Sequence, residues 1–232
     1  RLCVAPIDYS YVQLSRILSL PYLETLILMS DGGNLRLPQK MTATQLKSLR
    51  LQGSFSSIFK WPQLPNLTRL RVNDSSDLGN AFTGDFFAQI QHSTQLTLLN
   101  LEGGDLFPQT QLAAMLSKLQ NLQHLNLSVF IGAAHLTEIF SSITPNLTSL
   151  TLSGSSNEHW APSVMASGLA QLTQLETLEF DRHETRFEAS DFAKFPNSLK
   201  DICIELRSEA RLEAFLASKV HFPNLWKLNF LI

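Results

Sequence analysis

The sequence predicts an α/β fold in which parallel strands stack into one sheet, each joined to the next by a helix or a short irregular segment. The first observation is the spacing Leu-x-x-Leu-x-Leu, seen in Leu147 to Leu152. Nine copies, some with another apolar residue, begin at positions 23, 46, 67, 96, 122, 147, 175, 199 and 225, between 21 and 29 residues apart. In several of the segments between these copies, apolar residues recur every three or four positions, as on one face of a helix. Each repeat is therefore a strand and its crossover, and such crossovers are right-handed in parallel sheets.

The repeated motif has the alternation of a strand rather than of a helix. Side chains at its fourth and sixth positions point to one face of a pleated backbone, and those at the third, fifth and seventh point to the other. Leu150 and Leu152 hold the fourth and sixth positions of the clearest copy. One face of the sheet is therefore apolar in every repeat, and the other is free to vary.

The N-terminal part of the chain begins in a further strand. Leu2 and Val4 lie one ordinary period before Leu26 and Leu28, so about ten strands are expected in all. Ser10 is placed to cap a helix that covers the back of the sheet. The apolar stripe of that helix is Leu14, Ile17 and Leu18.

The second and third repeats are connected by segments rich in proline and glycine. Pro38, Pro62 and Pro65 interrupt these segments, which favours extended or 3₁₀ conformations over full helices behind the sheet. Asp31 to Asn34, Asp-Gly-Gly-Asn, lacks the remaining ligands of a calcium loop, and we interpret it as a plain turn.

From the fourth repeat onward the connecting segments predict helices. Thr83 or Asp85 begins the first, Thr110 the second and Pro162 the fourth. A short helical segment begins near Ser190, and Ser208 begins the last helix. The predicted buried stripes are Phe82, Phe86 and Ile90; Leu112, Met115, Leu116 and Leu119; Leu136, Ile139, Phe140 and Ile143; Met165, Leu169 and Leu172; and Leu212, Phe215 and Leu216.

Four strands are preceded by proline and asparagine, as in Pro65-Asn66-Leu67, Pro145-Asn146-Leu147, Pro196-Asn197-Ser198-Leu199 and Pro223-Asn224-Leu225. With the leucine spacing and the helical backs, this resembles the leucine-rich repeat family, in its ribonuclease-inhibitor-like and F-box-associated branches. The resemblance implies a horseshoe-shaped solenoid over residues 1–232 as one domain, with a concave parallel sheet and a convex side of helices. It also implies a non-catalytic protein-binding role.

Composition restricts the classes of partner. The chain has 18 Lys and Arg against 20 Asp and Glu, a net charge of −2, which argues against nucleic acid or an acidic membrane as the partner. Nothing in the sequence is apolar over the roughly 18 residues that span a bilayer. Cys3 and Cys203 lie too far apart in such a stack for a disulfide, and the clustered cysteines of secreted members of this family are missing. We therefore expect a cytoplasmic protein.

No enzyme motif is found, and we predict no catalysis, no cofactor and no metal. The sequence has no phosphate-cradling glycine loop, HExxH, paired CxxC or GxSxG. His183 lies beside Asp181 and Glu184, but neighbouring residues on a strand alternate faces, so it is more consistent with a turn residue than with a metal ligand. Of the four Asn-x-Ser/Thr sequons, at Asn66, Asn73, Asn126 and Asn146, all but the one at Asn73 follow from the repeat pattern itself.

The candidate site is the variable face of the sheet. Basic residues occupy adjacent strands near the N-terminal side and acidic residues occupy adjacent strands near the C-terminal side. Four strand steps of about 4.8 Å separate the two groups by roughly 19 Å, which exceeds the Debye length of about 8 Å. The predicted partner-binding residues are Arg50, Arg69, Arg71, Asn100, Glu102, His124, Asn126, Glu179, Asp181, Asp201 and Glu205.

The function we predict is the binding of a protein partner in the concave face. Two alternatives stay open: a substrate-recognition segment of an F-box ubiquitin-ligase subunit, and a microbial leucine-rich repeat effector. Neither end of the chain shows the polar cap of a terminal repeat. We therefore expect a segment of a longer protein, or ends covered by flanking domains or another subunit.

Overall fold

The computed structural model describes residues 2–4, 16–29, 43–54, 61–74, 82, 84–103, 109–129, 131–153, 160–181, 187–205, 209–218 and 222–231. Within these ranges, only the backbone is described for residues 3, 4, 181, 205, 209, 211, 230 and 231. The strands are β1 (Leu2–Val4), β2 (Thr25–Met29), β3 (Ser48–Gly53), β4 (Arg69–Asp74), β5 (Leu98–Glu102), β6 (His124–Ser128), β7 (Ser149–Ser153), β8 (Thr177–Asp181), β9 (Asp201–Glu205) and β10 (Lys227–Leu231).

All ten strands form one sheet in the order in which they occur along the chain, and every neighbouring pair is parallel. The register places equivalent motif positions side by side. Leu150, for example, pairs with Leu125 on one side and with Leu178 on the other. Sequential parallel order with helical crossovers confirms the predicted α/β leucine-rich repeat right-handed solenoid, with its parallel concave sheet.

The described helices lie between strands. They are α1 (Gly84–Ile90), α2 (Gln109–Leu116), α3 (Leu136–Ser142), α4 (Pro162–Leu169), α5 (Ala189–Phe192) and α6 (Glu209–Ala217), with a 3₁₀ turn at Ala133–His135 before α3. Successive helices pack side by side. The predicted helices of the fourth and later repeats are confirmed, with shorter bounds. Leu119, Ile143 and Leu172 lie just beyond their helices, yet all three are buried, so the apolar stripe continues into the turn.

One predicted core residue of α6 is exposed. Phe215 is buried and Leu212 is partly buried, but Leu216 is 67% exposed. Within the described part of the chain no later helix packs on α6. The side of α6 that carries Leu216 is therefore left to solvent, and the prediction that Leu216 belongs to the core is wrong.

The core lies between the sheet and the helices and is continuous from repeat to repeat. The first, fourth and sixth motif positions are buried in the second to ninth strands, and Leu147, Leu150 and Leu152 are at most 1% exposed. Burial of this kind contributes about 25 cal/mol for each Å² of apolar surface removed from water. Phenylalanines add edge-to-face contacts to this core, such as Phe82 with Phe86 and Phe192 with Phe215.

Hydrogen bonds from side chains join consecutive repeats at the turns before the strands. The amides of Asn66, Asn121 and Asn146 donate to backbone carbonyls of the preceding repeat. The hydroxyls of Thr68 and Thr148, two residues after Asn66 and Asn146, also donate to backbone carbonyls of the preceding repeat, at 2.9 and 3.0 Å. These bonds satisfy carbonyl groups in the turns. Both polar residues of an Asn-Leu-Thr sequon therefore have a structural role in the repeat.

Several predictions concern segments outside the described residues. Of the helix predicted to begin at Ser10, residues 16–18 are described and helical, and Leu18 is buried. The segments predicted to be irregular in the second and third repeats are mostly not among the described residues. The same holds for the Asp31 to Asn34 turn, His183 and Ser208.

Candidate functional site

The face of the sheet opposite the core is built from the third, fifth and seventh positions of each motif, and we call it the concave face. The register aligns these positions into three rows that run across the strands. The fifth positions form the central row. It consists of Ile27, Arg50, Arg71, Asn100, Asn126, Thr151, Glu179, Cys203 and Asn229.

The structure brings all eleven predicted site residues to strands of this one sheet, at third, fifth or seventh positions. Arg69, His124 and Asp201 belong to the third-position row. Glu102, Asp181 and Glu205 belong to the seventh-position row, where Asp181 and Glu205 are placed by their backbone alone. The rest lie in the central row.

The basic end of the concave face has unbalanced charge. Arg50 and Arg71 are direct partners on β3 and β4, and Arg69 lies two residues before Arg71. Arg50 Nη2 donates to Gln52 Oε1 at 3.2 Å. All three arginines are exposed, and no ion pair among the described residues involves any of them. Like charges on neighbouring strands repel each other, so an anion at this place is favoured.

Glu102 lies close to the arginines but its carboxylate is held by two amides. Asn73 Nδ2 donates to Glu102 Oε2 at 2.6 Å, and Asn100 Nδ2 donates to Glu102 Oε1 at 2.9 Å. These three side chains, with Arg50 and Arg71, line a shallow depression that is open to solvent. Both carboxylate oxygens are bonded to amides, and among the described residues no ion pair joins Glu102 to Arg50 or Arg71, although its negative charge lies in the same depression.

The middle of the concave face is neutral and holds two buried acceptors. Asn100 and Asn126 are direct partners on β5 and β6, and the Oδ1 atom of each is buried without a hydrogen-bond partner. With Arg71, Leu98 and His124 they line a second depression that is open to solvent. An unsatisfied buried acceptor costs about 1–3 kcal/mol, so both amides favour an incoming donor.

The acidic end differs from the sequence-based expectation. Lys227, at the same motif position one strand further on, bonds Asp201 Oδ2 through Nζ at 2.9 Å. This hydrogen bond raises the pKa of Lys227 above its ordinary value of 10.5. Glu179 accepts a weaker bond from Thr151 Oγ1 at 3.3 Å. Asp201 is therefore partly neutralised, and Glu179 carries most of the acidic character that the described side chains provide.

The partner-binding residues predicted from the sequence do not include Asn73 or Lys227. Lys227 occupies the third position of its motif, as Asp201 does, so aligning the repeats could have paired them. The role of Asn73 depends on a side-chain torsion that points its amide at the next strand, and the spacing carries no signal for that.

Neither a metal-binding cluster nor a membrane-spanning helix occurs among the described residues. No three of their His, Cys, Asp or Glu side chains come together as ligands of a metal ion would. None of the described helices has the length and apolar character needed to cross a bilayer.

Comparison with known proteins shows similarity to repeat structures only. Neither a protein-family model nor a curated protein matches the sequence. Among solved structures, the leucine-rich repeat-containing protein LegL7 of Legionella pneumophila is 13% identical with a TM-score of 0.47, covering 99% of this chain and 90% of its own. Two Listeria monocytogenes internalins are also similar. Internalin C2 is 16% identical with a TM-score of 0.40, covering 97% of this chain and 77% of its own. Internalin F is 12% identical with a TM-score of 0.41, covering 96% and 69%.

The class of fold follows from the chain itself. The leucine spacing, the ten-stranded parallel sheet and the in-phase register define a leucine-rich repeat solenoid. Folds of this class typically serve as protein-binding modules and are usually non-catalytic.

Proposed function

We propose that this protein is a non-catalytic module that binds a protein partner across its concave face. The observation that carries the proposal is the group of three arginines, Arg50, Arg69 and Arg71, which exceeds the single nearby carboxylate of Glu102. The same face continues across the uncharged positions of β6 and β7 to Glu179. Arg71 and Glu179 are four strand steps apart, roughly 19 Å at about 4.8 Å per step. Because this exceeds the screening length of about 8 Å, each end acts on a partner independently.

Such a charge arrangement favours orientation and association rate more than affinity. A partner with an acidic patch at one end of its contact surface and a basic patch at the other would be steered into one orientation. Helices, by contrast, cover the opposite face of the sheet, where the motif leucines are buried. The concave face is therefore a regular surface on which sequence can vary without disturbing the core.

The test is charge reversal at the basic end. Arg69→Glu with Arg71→Glu should abolish capture of the partner from an extract of the source cells and leave the melting temperature nearly unchanged. Lys118→Glu with Lys194→Glu changes the net charge equally at exposed positions away from the concave face, and it should retain capture. Proteins lost by the first variant and kept by the second are the partners. Equal capture by both variants would refute concave binding.

A cytoplasmic location is supported by the cysteines. Cys3 on β1 and Cys203 on β9 are eight strand steps apart, roughly 38 Å, which is too far for a disulfide within one chain. The side chain of Cys203 is half-buried. Localisation of a tagged full-length protein tests this.

The F-box-associated alternative is supported by the Pro-Asn turns, which precede β4, β7, β9 and β10. It predicts an F-box of about 40 residues encoded upstream of Arg1. Finding a different domain there would exclude it.

A further inference from the structure

We propose that the central row recognises an extended peptide segment of the partner, with an acidic side chain bound between Arg50 and Arg71 and the following backbone bound by Asn100 and Asn126. This rests on the proposed function and names the kind of partner surface that the concave face takes. The occupant is a linear internal stretch of a protein chain that contains Asp or Glu.

The arginine pair supplies a site for one carboxylate. Arg50 and Arg71 project from directly paired positions on neighbouring strands, about 4.8 Å apart. The nearby carboxylate of Glu102 is already held by Asn73 and Asn100. A guanidinium binds a carboxylate through parallel N–H bonds, so a side chain of Asp or Glu between the two arginines would both neutralise them and bond to them.

The two asparagines supply acceptors for main-chain N–H groups. Asn100 and Asn126 follow Arg71 in the same row, and each has an Oδ1 atom without a partner. Neighbouring atoms cover these oxygens, so a donor reaches one only after the amide turns about its terminal torsion, which has a broad energy profile. At Asn100 this turn also gives up the bond to Glu102, whose carboxylate keeps the bond from Asn73. An extended backbone presents N–H groups that an asparagine oxygen accepts.

The length of the row favours a chain over a small anion. From Arg50 to Asn126 is three strand steps, roughly 14 Å, which an extended chain covers in about four residues at about 3.3 Å each. A phosphate or a free acid would engage the arginines and leave both amide oxygens unsatisfied. Only a ligand that continues along the row satisfies all four side chains.

The first experiment is a selection from a random heptapeptide display library, made with the wild-type protein and with Arg50→Glu plus Arg71→Glu. We expect wild type to enrich peptides with one Asp or Glu at a fixed position. We expect the double variant to replace that acid by Lys or Arg at the same position. Peptides enriched without an acid, the same consensus with both proteins, or no enrichment with wild type would overturn the inference.

The second experiment tests the amides with the best acidic peptide, synthesised with a fluorophore and titrated by anisotropy. Asn100→Leu plus Asn126→Leu should weaken binding by on the order of 10-fold, the loss of one or two hydrogen bonds. The same variant should change the melting temperature little, because the removal of two unsatisfied acceptors offsets the loss of the bond from Asn100 to Glu102. Lys118→Glu with Lys194→Glu should bind the peptide as wild type does. Unchanged affinity in the asparagine variant would overturn the assignment of backbone recognition.

Failure of this inference is distinguishable from failure of the proposed function. Suppose that charge reversal at Arg69 and Arg71 abolishes capture of a protein partner while the library yields no acid-dependent peptide. The concave face then binds a folded surface, and the peptide assignment is wrong. If charge reversal leaves capture intact, the proposed function itself fails.

Discussion

Leu150 shows how a single motif residue contributes to the fold. It lies in β7 at the fourth position of the repeat motif, pairs with leucines on both neighbouring strands and is fully buried. Protein interiors are close-packed, so a truncated side chain leaves a cavity that its neighbours fill only partly. In this fold the adjacent repeats are held in register by the sheet, which restricts their collapse into such a space.

We therefore expect Leu150→Ala to lower the free energy of unfolding by about 2–5 kcal/mol, measured by urea denaturation. Leu216→Ala is the matched control, the same chemical change at a leucine that is 67% exposed, and it should change stability by about 0.5 kcal/mol or less. A negligible loss for Leu150→Ala would place that residue outside the core.

At the scale of elements, neighbouring helices approach closely where a glycine allows it. Gly168 in α4 faces Phe140 in α3, and a Cβ atom built on Gly168 would lie 2.3 Å from Phe140 Cγ. Glycine normally weakens a helix by roughly 0.5–1 kcal/mol relative to alanine. Here its absence of a side chain is what lets α3 and α4 pack.

Gly168→Ala should therefore destabilise the protein, by about 1–3 kcal/mol, despite the better helix propensity of alanine. Gly84→Ala in α1 is the control, because its added Cβ would meet only the end of the Gln111 side chain, at 3.4 Å. That variant should be neutral or stabilised by up to about 1 kcal/mol. Thermal denaturation of both decides the point, and a stabilised Gly168→Ala would contradict the packing.

The last two strands are joined by an ion pair that responds to pH. The hydrogen bond and the charge of Asp201 raise the pKa of Lys227 above 10.5. A group whose pKa is raised in the folded state stabilises that state below its ordinary pKa, and the contribution is lost as the pH rises through the higher value. The contribution of Lys227 to the contact between β9 and β10 should therefore be lost in strongly alkaline solution.

We expect Asp201→Asn to shift the pKa of Lys227 downward, toward its ordinary value, in an NMR titration of the lysine Cε resonance. Glu24, whose pKa is lowered by its bond to Lys47 far from this substitution, is the control, and the titration of Glu24 should not move. An unchanged pKa of Lys227 would mean that Asp201 does not hold it in solution.

At the scale of the whole molecule, the core of the solenoid is continuous, but each repeat contacts mainly the repeats on either side of it. Burial therefore varies along the stack. Leu99, Leu125 and Leu150 are at most 2% exposed, whereas Leu228 is only partly buried and Trp226 is 74% exposed. Local opening should cost less free energy in the repeat of β10 than in the middle of the sheet.

Hydrogen–deuterium exchange of the 232-residue chain should follow that gradient. We expect amides of β5, β6 and β7 to exchange most slowly and those of β10 to exchange fastest among the described strands from β2 onward. Peptide-level mass spectrometry measures the difference. Equal protection from β2 to β10 would show that the chain opens as one cooperative unit.

Particular residues show which features of the fold follow from the sequence and which do not. Leu150 could be assigned to the core because a period of two fixes which face of a strand it occupies. Arg50 and Arg71 could be placed side by side because equivalent positions of consecutive repeats align. Leu216 could not be placed correctly, because its burial depends on whether another element covers α6.

The sequence by itself determined the strand positions, the alternation of buried and variable faces and the order of the sheet. These are local or periodic properties, in which each repeat restates the same pattern of apolar side chains. Only the tertiary structure decided that Lys227 neutralises Asp201, that two amides hold Glu102 and that Asn100 and Asn126 keep unpaired oxygens. The physical reason is that side-chain torsions and contacts between repeats depend on which neighbours the folded sheet supplies, and no spacing along the chain encodes them.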